Sequence, residues 1–241
     1  MTRPLLALEG VHTHIGRYHI LQGIDLEVAE GELTVLLGRN GAGKTTTMRT
    51  IMGLWHASSG AICFDGKPIE KAATPVIARL GIAYVPENMG IFGTLSVREN
   101  LVLAAAEGPI ERNRLARVFE LFPPLETFFE LPAGNLSGGQ KQMLSIARAM
   151  VERRRLALID EPSKGLSPSM VGTMTEALLE LKRAGTTILL VEQNFATAEA
   201  VGDRVAVMDD GRIVHRGPMT ELAANRALQE RLMGLSLEAH Q

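Results

Sequence analysis

Eight residues, GRNGAGKT at Gly38 to Thr45, restrict what this chain can fold into more than any other stretch. They follow the compact apolar run Gly31 to Leu37 and precede a segment of helical character from Lys44 to about Met52. Strand, glycine-rich turn and helix in that order form the layout of a phosphate-binding loop. The glycines let backbone N–H groups turn inward toward phosphate oxygens, and the N-terminus of the following helix adds a dipole that favours an anion. Lys44 is spaced to reach β- and γ-phosphates, and Thr45 to ligate Mg2+. The expected cradle comprises Gly38, Arg39, Asn40, Gly41, Ala42, Gly43, Lys44, Thr45 and Thr46. A glycine-rich turn without a ligand is the alternative, and it leaves the placement of Lys44 and Thr45 unused.

A chain of 241 residues with 46% hydrophobic content has room for one substantial domain with a real core. A formal net charge of -2 argues against a surface built to hold nucleic-acid phosphates, so no nucleic-acid partner is expected. The single cysteine, Cys63, has no internal partner, which fits a reducing compartment and a small buried residue. The longest apolar candidates, such as Leu101 to Ala106, fall far short of the ~20 residues needed to span a bilayer. Met1 to Gly10 lacks the apolar stretch and cleavage site of a secretory leader. The expected location is cytoplasmic, with docking on a membrane protein open.

Alternation of apolar and polar residues over Leu5 to Val28 suits paired strands. Beyond a turn at Ser58, Ser59 and Gly60, short strands are expected at Ala61 to Phe64 and Ile82 to Val85. Helical periodicity then takes over in Val97 to Ala106 and Arg112 to Leu121, broken at Gly108-Pro109 and Pro123-Pro124. Strand patterns resume at Leu156 to Ile159, Thr186 to Val191 and Val205 to Met208, with a helix from Met170 to Arg183 between them. This alternation predicts an α/β fold with a mainly parallel sheet core, an antiparallel β subdomain and an inserted helical subdomain. The expected division of the single domain, 1–241, is a nucleotide-binding core of residues 1–86 and 152–241 and a helical subdomain of residues 87–151. The Arg153-Arg154-Arg155 run reads as a solvated loop before a strand rather than an anion site.

A phosphate loop with a metal needs a carboxylate, and LALIDE places Asp160 at the end of a buried strand, where it can hold Mg2+. Glu161 follows at the sheet edge, positioned to orient and polarise an attacking water; an ordinary acidic turn residue is the alternative. In NLSGGQKQMLSIARAM, Asn135 to Met150, residues Ser137, Gly138 and Gly139 open a helix, while Ser137 and Gln140 also match a capping box.

This segment resembles the LSGGQ signature of the ABC ATPases, and with the P-loop and Asp160-Glu161 the resemblance covers nearly the whole chain to about Asp210. It implies a P-loop NTPase that binds and hydrolyses ATP with Mg2+. It also implies a head-to-tail dimer in which the phosphate loop of one subunit meets Ser137, Gly138, Gly139 and Gln140 of another, with Ser163 to Pro168 (SKGLSP) crossing between the sites. The resemblance places the membrane-subunit contact beside Asn88 to Leu95, where Met89, Ile91 and Phe92 either meet that partner or pack the helical lobe. ABC ATPases outside transport, and a module that senses ATP without hydrolysing it, are the rivals. No second cassette or coiled-coil insertion supports the first, and Glu161 speaks against the second.

Three positions depart from the common ABC pattern. Glu87 stands where most cassettes have Gln, Gln193 where most have a switch His, and Ile15, with Tyr18 nearby, where most stack adenine on an aromatic ring. Glu87 is accordingly a candidate metal-facing carboxylate, a solvent-facing loop residue being the alternative. Gln193 is a candidate γ-phosphate contact, and Ile15 an aliphatic adenine contact. YVPE, EPSKGLSP and LLVEQN together resemble the ATPase subunits of branched-chain or hydrophobic amino-acid importers. That branch implies transmembrane permease subunits, a second ABC ATPase subunit in a heterodimer or homodimer, an indirectly coupled solute-binding protein, and a peripheral position on the cytoplasmic membrane face. Urea, short amides and aromatic acids stay open as solutes.

Overall fold

The computed structural model describes residues 3–105 and 108–233. Ala106, at the end of one expected helix, and the last residues of the C-terminal tail lie outside them. Two long strands, β1 (Leu6–Ile15) and β2 (Tyr18–Val28), precede β3 (Leu33–Gly38) and α1 (Lys44–Ile51). Next come β4 (Ala57–Phe64), β5 (Lys67–Pro68), α2 (Thr74–Arg79) and β6 (Ile82–Val85). Helices α3 (Val97–Ala104), α4 (Arg112–Leu121), α5 (Pro123–Thr127) and α6 (Gly138–Met150) follow. Then β7 (Leu156–Asp160), α7 (Pro168–Arg183), β8 (Thr187–Val191) and α8 (Phe195–Val201) lead to β9 (Arg204–Asp209) and β10 (Arg212–Pro218). Two helices, α9 (Met219–Ala224) and α10 (Arg226–Met233), end the described chain.

The chain divides into two compact units: one takes the described residues up to Leu80 and from Thr187 onward, the other Gly81–Thr186. In the first unit, β2, β1, β4 and β5 form an antiparallel sheet in that order. The parallel strand β3 lies between β8 and β9, and β10 runs antiparallel to β9. Residues 33–37 of β3 and all of β8 are buried, as expected of parallel strands that read as unbroken apolar runs. Asp203 locks the start of β3, its carboxylate accepting from the Leu33 N–H at 2.8 Å and its own N–H donating to the Leu33 carbonyl at 2.9 Å.

Ser58, Ser59 and Gly60 are not a turn: they lie inside β4, with Ser59 opposite His12. The turn-like composition serves a bulge. Gly10 and Gly60 both have positive φ (55° and 88°), and a Cβ on Gly60 would lie 2.3 Å from the Gly10 carbonyl oxygen. Cys63 is half-buried on this strand rather than enclosed.

In the second unit, β6 and β7 pair in parallel from Ile82 opposite Leu156 to Val85 opposite Ile159. Helices α3 to α7 complete it. The helical run breaks before Pro123 and Pro124 as expected, α4 ending at Leu121, and the two prolines then start α5, because a proline in the first helical turn sacrifices an N–H that has no intrahelical partner. Arg154 is not solvated: it pairs with Glu152 and donates to the Ala104 carbonyl at 2.7 Å, capping the end of α3, while Arg153 stays exposed. No helix among the described residues is long and apolar enough to cross a membrane.

Candidate functional site

The phosphate loop belongs to the first unit, and Met208 presses on two of its glycines. Gly38 (φ 148°) pairs with Met208 of β9, and a Cβ there would lie 2.2 Å from the Met208 carbonyl oxygen. At Gly43 (φ 108°) a Cβ would approach the Met208 Cε to 2.9 Å and the Leu21 Cδ2 to 3.1 Å. Both positions combine a left-handed backbone with a tight fit, so only glycine is accommodated without strain. The Gly211 N–H donates to the Ala42 carbonyl at 3.0 Å, holding the far side of the loop.

Lys44 turns back into the loop. Its Nζ donates to the carbonyls of Gly38 (2.8 Å) and Arg39 (3.1 Å), and the residue is 5% exposed. A buried ammonium that closes a ring of backbone over an uncapped helix N-terminus is a cationic cradle: Gly43 is the N-cap of α1 and no side chain caps it. Gly41 is exposed with open space before it, while Thr45 and Thr46 are half-buried. These features fit a nucleotide's phosphates.

Two other expected contacts lie in the same unit. Ile15, half-buried at the end of β1, faces Tyr18 across the hairpin, and Tyr18 is exposed with the Arg17 guanidinium 5.3 Å from its ring centroid. Gln193 follows β8 and is exposed. The buried Glu192 accepts from the N–H groups of Gln193 (3.1 Å) and Asn194 (3.3 Å), and Asn194 caps α8 through the Thr197 N–H. The backbone of Gln193 is thus fixed by two local devices.

The carboxylates belong to the second unit, where register brings them together. Because Val85 pairs with Ile159, the residues two positions beyond each strand pair, Glu87 and Glu161, emerge at the same edge. Asp160 is fully buried, with the Tyr84 hydroxyl 3.5 Å from its Oδ2. Glu161 is 8% exposed and has a left-handed backbone, φ 49°, which costs a non-glycine residue about 1 kcal/mol or more. Lys164 joins the group: its Nζ lies 2.6 Å from Glu87 Oε1 and 3.5 Å from Glu161 Oε2. The hydrogen bond it donates to Glu87 and the charge of Glu161 hold this ammonium above the ordinary lysine pKa. From the sequence, Lys164 is placed only within the Ser163 to Pro168 segment, although a cation three residues after Glu161 was a usable signal.

Ser137 and Gln140 form the capping box at the start of α6: Gln140 N–H to Ser137 Oγ at 3.3 Å and Ser137 N–H to Gln140 Oε1 at 2.9 Å. A Cβ on Gly139 would overlap the Met170 side chain, whereas one on Gly138 would meet nothing within 4 Å. Packing within the chain therefore places the flexible end of Met170 against Gly139 and nothing against Gly138. In the loop before α3, Phe92 is half exposed under the Arg148 guanidinium, 5.5 Å from its ring centroid, while Met89 and Ile91 are half-buried. Ser145 and Arg148 of α6 bind the Met89 and Gly90 carbonyls at 2.8 and 2.5 Å.

The profile of the ABC transporter family matches residues 21–164. The chain is 37% identical over 232 residues to the high-affinity branched-chain amino acid transport ATP-binding protein BraG of Pseudomonas aeruginosa, covering 95% of this chain and 100% of that protein. It is 34% identical over 220 residues to the probable branched-chain amino acid transport ATP-binding protein LivF of Archaeoglobus fulgidus, covering 90% and 93%. Among solved structures, an ATP-binding subunit of an ABC transporter superposes with a TM-score of 0.81 at 30% identity, covering 97% of this chain and 96% of that one. The ATP-binding subunits of such transporters work with transmembrane permease components. Phosphate loop, carboxylate edge, signature helix and full-length similarity agree, and the chain belongs to the ABC transporter family as an ATP-binding, ATP-hydrolysing subunit.

Proposed function

We propose that this chain powers an importer of branched-chain or other hydrophobic amino acids from the cytoplasmic face of the membrane. The solute reading rests on similarity to BraG and LivF over nearly their full lengths. The observation that carries the nucleotide chemistry is the Lys44 ammonium closing the phosphate loop through the Gly38 and Arg39 carbonyls.

In this reading Gly38 to Thr46 wrap the phosphates, Lys44 meets the β- and γ-phosphates, and Ile15 packs on adenine. Thr45, Asp160 and Glu87 would hold Mg2+. These are hard oxygen donors, and Mg2+ is commonly bound by one or two carboxylates together with substrate phosphates. When bound, the ion offsets charge on the phosphate oxygens. Glu161 orients and polarises the attacking water, and Gln193 hydrogen-bonds water or the γ-phosphate but cannot carry a proton away as a cation. Ser137, Gly138, Gly139 and Gln140 of a second ATPase subunit complete the site. The open space at Gly138 supports that role, since a glycine not required by its own fold leaves room for a ligand.

Residues 1–86 and 152–241 then act as the nucleotide core and residues 87–151 as the helical subdomain. The exposed Phe92 marks the face offered to a permease, and a solute-binding protein acts on the complex only indirectly. The test is reconstitution of the ATPase with its co-purified permease and binding protein in liposomes, following leucine uptake and ATP turnover. Lys44→Ala is expected to abolish both. Turnover that survives this substitution would refute the site assignment, and turnover without uptake or stimulation by any hydrophobic amino acid would refute the solute.

A further inference from the structure

Glu87 and Glu161 emerge at one sheet edge beside the fully buried Asp160, an arrangement in which like charges repel unless a cation stands among them. Lys164 places such a cation between Glu87 and Glu161. Its position is set by a tight turn, the Lys164 N–H donating to the Glu161 carbonyl at 3.2 Å, so the side chain starts three residues past the carboxylate it faces. The ammonium has three donors and is within reach of both carboxylates, 2.6 Å from Glu87 and 3.5 Å from Glu161. The Lys164 side chain is 58% exposed, so it can swing into solvent without disturbing the core.

We infer that Lys164 is a positioning residue, a resident counter-ion that holds Glu87 against Glu161 until the metal and nucleotide bind, and that must then release Glu87. The inference rests on the reading of Glu87 as a metal-facing carboxylate. Lys164 and the divalent ion compete for the same oxygen, so the lysine raises the Mg2+ concentration needed to load the site. Lys164 also lies in Ser163 to Pro168, so metal loading frees the very segment expected to reach the second subunit. Metal occupancy and subunit closure become coupled through one side chain.

The test uses the purified full chain and a fluorescent ATP analogue, titrated with Mg2+ at fixed nucleotide, with binding as the readout. Lys164→Met is expected to lower the half-saturating Mg2+ concentration by about two- to five-fold, the range for loss of an exposed ion pair. Lys164→Arg, which restores the cation, is expected to behave as wild type. In a Glu87→Gln background, Lys164→Met is expected to have no further effect. If Glu87→Gln shifts the Mg2+ midpoint while Lys164→Met does not, the counter-ion role is overturned and the metal-facing reading of Glu87 stands. If neither substitution shifts it, both fall. Thermal unfolding of each variant verifies the fold.

Discussion

Asn100 grips Phe92 from both sides, its Oδ1 accepting from the Phe92 N–H and its Nδ2 donating to the Phe92 carbonyl, each at 3.0 Å. The same Nδ2 also lies 2.9 Å from the Ser96 carbonyl, and Asn100 is fully buried on α3. One amide thus shapes the loop that exposes Phe92. Asn100→Leu keeps the volume but strands these backbone groups, and is expected to cost about 1–3 kcal/mol in urea unfolding. The loop should also become more sensitive to proteolysis.

Gly38→Ala places a methyl group against the Met208 carbonyl at a φ of 148°. Strand pairing between β3 and β9 must loosen to admit it. A loss of more than about 1 kcal/mol is expected, measured by thermal unfolding, with nucleotide binding weakened in parallel.

Glu161 is expected to have opposite effects on stability and turnover. Glu161→Gln is expected to retain nucleotide binding while hydrolysis falls by about 10²- to 10⁴-fold. Glu161→Gly relieves the left-handed backbone at φ 49°, and should raise the unfolding free energy by about 1 kcal/mol while abolishing turnover. Equal stability of the two variants would show that the backbone there stores no strain.

Gln193→His introduces a group that can accept and pass a proton near neutral pH. ATP turnover of the assembled transporter is expected to rise, with the increase concentrated above the histidine pKa, where the imidazole is a free base. An unchanged rate would show that Gln193 does not limit this site.

Glu180 accepts two hydrogen bonds from Arg117, at 2.9 and 2.8 Å, joining α7 to α4. These bonds hold its carboxyl below the ordinary value of 4.5. A depressed folded-state pKa contributes stability above the unfolded value and loses it as pH falls through the folded one. Glu180→Gln should therefore destabilise slightly at pH 7, and the difference should vanish in strong acid, as read from urea midpoints across pH 2–7.

Much of the fold was legible because its signals are short-range. Alternation marked β1 and β2, unbroken apolar runs marked β3, β7 and β8, and the Ser137 capping box marked the start of α6. Ser58 to Gly60 misled because a bulge and a turn use the same residues, and only the approach of Gly10 distinguishes them. Arg154 misled because its partner, the Ala104 carbonyl, is 50 residues away and invisible in composition.

The phosphate loop shows what the chain determines by itself. Strand, glycines, lysine and helix are contiguous, so local backbone geometry suffices to bring them into one cradle. The carboxylate edge is different. Glu87 and Lys164 are separated by 77 residues, and neither announces the other. Their meeting was decided by the parallel register of β6 and β7, which sets Val85 against Ile159 and delivers both chain ends to the same edge. A shift of one residue would turn the side chains to the opposite face and dissolve the pair.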